Sequence, residues 1–283
     1  MNERRVQDHR GATRERFELS GGHLAYECAG GGRPVLFIHS AIADSQLWDR
    51  EFPLYAKDYR TVRFDLRGYG GSSLASSEFS YVEDIRALLA HLGVTKSFLV
   101  GSSMGGAYAI DFALAYPEMV DGMLLVAPGL SGGFEPPYDD DEKAAFGYDD
   151  RKSREVAEAW SKGDKAGAFE RLRELWCSSL EGPSLALFRR MVEQNAPEVF
   201  EDRSSRRATQ PPPAYGRLSS IRVPTTLLVG DKDNPSSVCI AKRIAKAIPG
   251  AGLVVVPGAD HLINLSRPEQ FDAELRSALA ARL

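Results

Sequence analysis

Apolar residues recur in two rhythms along this chain. One is a set of short unbroken runs: Val35-Leu36-Phe37-Ile38, Phe98-Leu99-Val100, Val120 to Val126, Thr225 to Val229 and Leu253 to Val256, with Tyr59 to Phe64 a less pure sixth. Such runs predict strands, and their lack of in-out alternation marks strands covered on both faces. The other rhythm is helical. Val82, Ile85, Leu88, Leu89 and Leu92 share a face after Ser80, which with Glu83 predicts a capping box. Met104 to Ala113, Cys239 to Ile248 and the set Phe271, Leu275 and Leu279 read likewise, the last behind a second predicted box at Ser266 and Glu269. Helices between strands supply the crossovers that parallel pairing requires, so the class is α/β.

Ahead of these elements, Phe17 to Leu19 and His23 to Cys28 flank Gly21-Gly22 and predict an opening hairpin. Gly30-Gly31-Gly32 leads into a strand and not a helix, so it reads as a turn and not as a phosphate loop. From Leu130 the alternation breaks. Gly132-Gly133, Pro136-Pro137 and the acidic run Asp139 to Glu142 are followed only by helical spacing, in Phe169, Leu172, Leu175 and Trp176 and again in Leu185, Phe188, Met191 and Val192, until Pro211-Pro212-Pro213. The expected organisation is one core in two parts, 1–130 and 216–283, with a helical insertion at 131–215.

With 283 residues, 43% hydrophobic and 26% charged, the chain has the composition of a globular protein large enough for one domain and an insertion. A net charge of −4 argues against nucleic acid as the main partner. Cys28, Cys177 and Cys239 are odd in number, far apart and in no metal-ligand spacing, which predicts reduced thiols and a cytoplasmic protein. No run reaches membrane-spanning length. Met1 to Thr13 lacks the apolar core of a signal peptide and reads as a loose tail.

Chemistry enters at Gly101-x-Ser103-x-Gly105, between a predicted strand and a predicted helix. A serine there sits at the apex of a sharp turn, and glycine two residues to either side relieves the crowding. Ser102, flanked by Val100 and Met104, lacks that relief. A serine nucleophile needs a base, and the base needs a carboxylate to hold its tautomer. Both are expected beyond the carboxyl ends of strands. His9, His23 and His91 fall in the tail, the hairpin and a helix; His261 falls on the loop after the last strand. The strand ending at Val229 leads to Asp231 and Asp233, of which Asp233 is preferred as the acid and Asp231 held in reserve. Backbone N–H groups of Met104 and Ala41 are the expected oxyanion donors.

These residues resemble the α/β-hydrolase superfamily, in particular its cap-bearing lactonases, esterases, carbon–carbon bond hydrolases and cofactor-free haloperoxidases. His39-Ser40-Ala41 with Trp48 is similar to the family's oxyanion loop, Asp65-x-Arg67-Gly68-x-Gly70-x-Ser72 to its loop after strand four, and Gly101 to Gly106 to its nucleophile elbow. Gly230-x-x-Asp233 is similar to the acid motif, which favours Asp233 over Asp231, and His261 with Arg267 to Phe271 to the base motif, in the family's order Ser, Asp, His. Ser40 stands where the family usually has Gly, a departure shared with some lactonase-like members.

The resemblance implies a mostly parallel eight-stranded sheet with flanking helices and a helical cap after the sixth strand. It implies two-step acyl transfer through Ser103, His261 and Asp233, with no metal or organic cofactor. A small ester or lactone is the first expected substrate. A vinylogous diketone cleaved at a carbon–carbon bond, with Arg189 and Arg190 serving a diacid, is the second, and a low-turnover ligand receptor the third. Expected substrate contacts are Ser40, Ile42, Trp160, Trp176, Phe188, Met191 and Leu262, with Phe169 a further candidate for the pocket roof. A monomer or homodimer is expected.

Overall fold

A computed structural model of the protein describes residues 5–7, 13–202 and 207–281; His9 lies outside them. Among the described residues, nine strands form one sheet in the order β1-β2-β3-β5-β4-β6-β7-β8-β9. They are β1 Arg5–Gln7, β2 Thr13–Leu19, β3 Gly22–Ala29, β4 Pro34–Ile38, β5 Arg60–Phe64, β6 Ser97–Ser102, β7 Val120–Val126, β8 Thr225–Gly230 and β9 Gly252–Val256. The hairpin β2–β3 pairs antiparallel with β5, and every pairing from β5 through β4 to β9 is parallel. The expected eight strands are β2 to β9. The short strand β1 adds a ninth at the edge, paired with Thr13–Glu15, so part of the segment read as a loose tail is ordered against the sheet.

The unbroken apolar runs have a simple cause. Successive strand residues point to opposite faces, and both faces are buried. Leu36, Ile38, Leu99, Met123, Leu125, Leu227 and Val229 enter one apolar cluster. Their neighbours Val35, Phe37, Phe98, Val100, Leu124, Val126 and Leu228 enter another. Helices α2 Tyr81–His91, α3 Met104–Ala115 and α8 Pro235–Ala247 cover the first face, through Ile85, Leu88, Ile110, Phe112 and Ile244. α1 Glu51–Tyr55, α9 Ile263–Ser266 and α10 Pro268–Ala280 cover the second, through Tyr55, Ile263, Phe271 and Leu275. Each such Leu, Ile or Phe contributes about 1.5–3 kcal/mol relative to exposure.

Neither predicted capping box forms. Ser80 Oγ accepts from the Glu83 N–H, but the Glu83 carboxylate turns to Arg86 and Tyr116 instead of reaching back. Ser266 closes α9, and α10 starts at Pro268 without a side-chain cap. A box does form inside the acidic run, where Asp139 and Glu142 cap one another at the start of α4 Asp140–Ser161. That helix opens the insertion between β7 and β8, followed by α5 Lys165–Trp176, α6 Gly182–Gln194 and α7 Ala196–Glu201.

One buried acid makes stability depend on pH. Glu51 is fully buried, and burial pushes its pKa from 4.5 up to about 7, with Arg50 and Asn264 at 3.3 and 3.4 Å offsetting only part. Between about pH 4.5 and 7 the folded state holds a proton that the unfolded chain releases, so Glu51 favours folding fully below 4.5 and loses that contribution as pH rises through 7. Glu51→Gln is expected to gain stability over the parent between pH 5 and pH 8, by about 1–3 kcal/mol. Urea unfolding at both pH values checks it, and an equal difference at the two would sink the idea.

Candidate active site

β6 runs into α3 through Ser103, whose φ of 51° and ψ of −113° lie in a region that L-residues avoid. The turn is clamped by Ser103 N–H to Val126 O at 2.8 Å and by Gly129 N–H to Ser103 O at 2.9 Å. Its glycines are required by contact. A Cβ on Gly101 would stand 2.4 Å from the Gly105 carbonyl oxygen, and one on Gly105 would stand 2.4 Å from that of Ile38. Ser103 lines a cavity, whereas Ser102 is buried with its hydroxyl unpartnered among the described residues.

Three residues beyond β8 and five beyond β9, Asp233 and His261 meet. His261 Nδ1 lies 2.9 Å from Asp233 Oδ1 and 3.0 Å from Oδ2, so the ring donates its Nδ1–H to the carboxylate and keeps Nε2 as an acceptor. The Asn234 N–H donates to Asp233 Oδ1 at 2.7 Å. Burial alone pulls the imidazole down, but the charge and hydrogen bond of Asp233, backed by Asp260 and Asp149, hold its pKa above 6.5. Asp231 does other work: its exposed carboxylate accepts the Gly258 N–H, and it does not reach His261. The insertion seats the loop that carries His261. Trp176 O accepts the His261 N–H at 3.1 Å, the Trp176 ring leans on the imidazole at 4.5 Å, and Ser179 donates to Asp260 through both N–H and hydroxyl. Burial, with Asp260 and Asp233 nearby, keeps the Cys177 thiol protonated, so no thiolate competes beside the base.

The loop after β4 carries the expected second oxyanion donor. His39 is buried, its Nε2 accepting the Leu66 N–H and its Nδ1 donating to Ser40 O, which fixes a neutral ring at the head of the loop. Ser40 explains its own presence in place of glycine: its hydroxyl accepts the Ile42 N–H at 3.1 Å and closes a local turn. Tyr69 donates to Ala41 O at 3.2 Å. No acceptor for the Ala41 or Met104 N–H appears among the described residues, which leaves both free for a ligand.

Beyond that loop, Asp44 caps the next turn by accepting the Gln46 N–H, and it also accepts from Asn195 Nδ2 at 2.9 Å. Asn195 Oδ1 in turn takes the Gly70 N–H, and Gln194 takes Gln46 Nε2. Burial and the adjacent Asp65 raise Asp44 above the usual carboxylate range. The junction of α6 and α7 is therefore bolted to the loop after β4. Asp149 of α4 makes a similar bolt to the loop after β8 through Asn234 and Ser236.

Ser40, Ala41, Ile42, Ser103 and His261 form the base of a cavity of about 300 Å³. Its walls come from the insertion: Ser153, Val156 and Ala157 of α4, then Leu172, Leu175 and Trp176 of α5. Val199 and Phe200 of α7 complete it. No Lys or Arg among the described residues lines it. Nor do three His, Cys, Asp or Glu side chains among them cluster as metal ligands would.

The alpha/beta hydrolase family profile matches residues 35–274. The chain belongs to the alpha/beta hydrolase family. Carboxylesterase YbfK of Bacillus subtilis is 24% identical over 87% of this chain and 79% of its own length. A 2-hydroxy-6-oxo-6-(2'-aminophenyl)hexa-2,4-dienoic acid hydrolase of Metapseudomonas resinovorans is 24% identical over 95% and 91%. Among solved structures, Est816, described as an N-acyl homoserine lactone degrading enzyme, superposes with a TM-score of 0.72 at 26% identity, covering 93% of this chain and 99% of that one. With relatives of this kind along nearly its whole length, the chain is a hydrolytic enzyme.

In this hydrolase the expected substrate contacts divide. Ser40, Ile42 and Trp176 line the cavity. Phe188, Met191 and Leu262 are fully buried in the apolar cluster behind it, and Trp160 stacks on Phe200 and lines a different cavity. Phe169 is buried against Phe188 and likewise borders that second cavity. Arg189 pairs with Glu170 and lies over Phe169, and Arg190 is exposed, so neither borders the Ser103 cavity. Missed from sequence were Ser153, Val156 and Ala157, one face of a mostly polar helix, Leu172 and Leu175 of α5, Val199 and Phe200 of α7, and the Asn195–Asp44 bond. The sequence signal for the α4 residues was a small-residue face at i, i+3 and i+4, and that for the leucines the apolar stripe already read; the Asn195–Asp44 bond left none. No helix of the described residues is long and apolar enough to cross a membrane.

Proposed function

We propose that the protein hydrolyses an uncharged carboxylic ester or lactone through an acyl-enzyme on Ser103. The observation that carries this is the buried Asp233–His261 pair opening on the same cavity as the strained Ser103, with a free N–H in the adjoining loop. Ser103 Oγ attacks the carbonyl carbon as His261 Nε2 takes its proton, and the oxyanion accepts from the Ala41 and Met104 N–H groups. As the C–O bond breaks, His261 gives that proton to the departing oxygen. Water, deprotonated by the same nitrogen, then releases the acid and restores the serine. For a lactone the departing alkoxide stays tethered to the acyl group. Asp233 holds the Nδ1–H tautomer and balances the imidazolium.

The apolar, cation-free lining supports a neutral acyl group and weighs against a diacid, so the carbon–carbon cleavage of the Metapseudomonas relative is the weaker reading. Residues 131–215 act on this reading as a cap over a core of 1–130 and 216–283, since α4, α5 and α7 supply the cavity walls. Three free cysteines support a reducing, cytoplasmic setting. Incubation with an alkyl fluorophosphonate is expected to add one equivalent, placed on Ser103 by peptide mass spectrometry. A protein left unlabelled, or labelled elsewhere, rejects the assignment.

A further inference from the structure

A second cavity of about 370 Å³ lies in the insertion, bordered by Trp160, Phe169, Val192 and Ala196 with Lys165 and Arg189 at its sides. Phe200 belongs to the linings of both cavities. The helices show how the two adjoin. Along α4 the lining passes from Val156 and Ala157 in the first cavity to Trp160 in the second, one turn on. Along α5 it passes from Leu172 back to Phe169, again one turn. α4 and α5 are joined by a three-residue turn around Gly163, so they run antiparallel, and both steps lead the same way, away from Ser103. Phe200 stands at that step, its ring stacked on Trp160 at 4.3 Å and 9°.

The second cavity has an apolar floor, and its cations are occupied. Arg189 lies 3.9 Å over Phe169 and pairs with Glu170, and Lys165 sits 5.7 Å over Trp160. We propose that Phe200 is the partition that sets acyl length: its ring keeps a straight, uncharged acyl chain whose carbonyl sits at Ser103 within the first cavity and shuts it off from the second. The inference rests on the reading of the Ser103 cavity as the acyl site. In the parent the ring confines the acyl group to the first cavity. With the ring removed, the two spaces become one channel and the chain's terminal carbons lie against Trp160, Phe169 and Val192.

The test uses binding, so that it does not depend on turnover. Calorimetry with straight-chain 2-alkanones of increasing length is compared in the parent and in Phe200→Ala. The variant is expected to bind long ketones at least tenfold more tightly than the parent, while short ketones, which lose contact with the ring and do not reach the second cavity, gain nothing. Adding Ala196→Trp to fill the far cavity is expected to remove the gain. Phe200→Leu, the milder change, moves the same way by a smaller factor and serves if the alanine variant does not fold. Affinities that stay level, or that change by one factor at every length, overturn the partition. Failure of the ester reading is seen separately, as ester turnover that survives Ser103→Ala while the ketone result stands.

Discussion

Ser103→Ala is expected to lower kcat/KM for a short p-nitrophenyl ester by a factor on the order of 10⁴ to 10⁶, while the folded protein and its ligand affinity are kept. On the proposed mechanism the hydroxyl is the atom that forms the acyl-enzyme, so the loss is expected to fall on kcat. Alanine at a φ of 51° is as strained as serine, so the elbow pays no new conformational penalty. Residual hydrolysis above background would come from water in the cavity, oriented by His261 and assisted by the Ala41 and Met104 N–H groups. Steady-state kinetics and a melting curve on the same preparation check both halves. Turnover retained within tenfold would mean that the nucleophile is another group or that the chemistry is not acyl transfer.

The parts legible in the sequence were those fixed by short-range causes. A strand buried on both faces must be apolar at every position, which is why β4, β6, β7, β8 and β9 could be read directly. The elbow could be read because a Cβ at Gly101 or Gly105 would strike backbone a few residues away or in the adjacent strand. Asp233 and His261 could be read because each stands just past a strand end, where parallel sheets converge. The insertion was illegible for the same physical reason in reverse. An apolar stripe on a helix records that something covers it, not what: Phe188 and Met191 are covered by neighbouring helices, whereas Trp176 is left facing the cavity. The walls of α4 come from Ser153, Val156 and Ala157, too small and too mixed to mark a face. Asn195 meets Asp44 across about 150 positions of chain, a separation that leaves no local pattern. The predicted capping boxes failed because their acids found other roles, Glu83 with Arg86 and Tyr116, and because α10 begins at a proline beyond Ser266.

Asp233→Asn tests the other corner of the site by turning one acceptor into a donor. The carboxylate now accepts both the Asn234 N–H and the His261 Nδ1–H. In the amide, the oxygen held by the Asn234 N–H stays at 2.9 Å from Nδ1 while the NH₂ takes the Oδ2 place at 3.0 Å, so a donor now competes with an acceptor at Nδ1. The Nδ1–H tautomer loses its preference, and the fraction of rings that keep Nε2 free to accept a proton falls. The carboxylate charge that balances the imidazolium is lost as well. A fall in kcat of about 10⁴-fold is expected, with KM little changed. The pH profile separates this from misfolding. In the parent, activity is expected to fall as pH drops through the His261 pKa, which is raised because Asp233, Asp260 and Asp149 together outweigh burial. In the variant burial remains and the largest opposing influence is gone, so the acid limb moves to lower pH on a much lower plateau. Asp231→Asn is the control: its carboxylate is exposed and accepts only from Gly258 N–H, so plateau and limb should stay in place. Activity of Asp233→Asn within tenfold of the parent, or an unmoved acid limb, would remove Asp233 from the role of orienting the base.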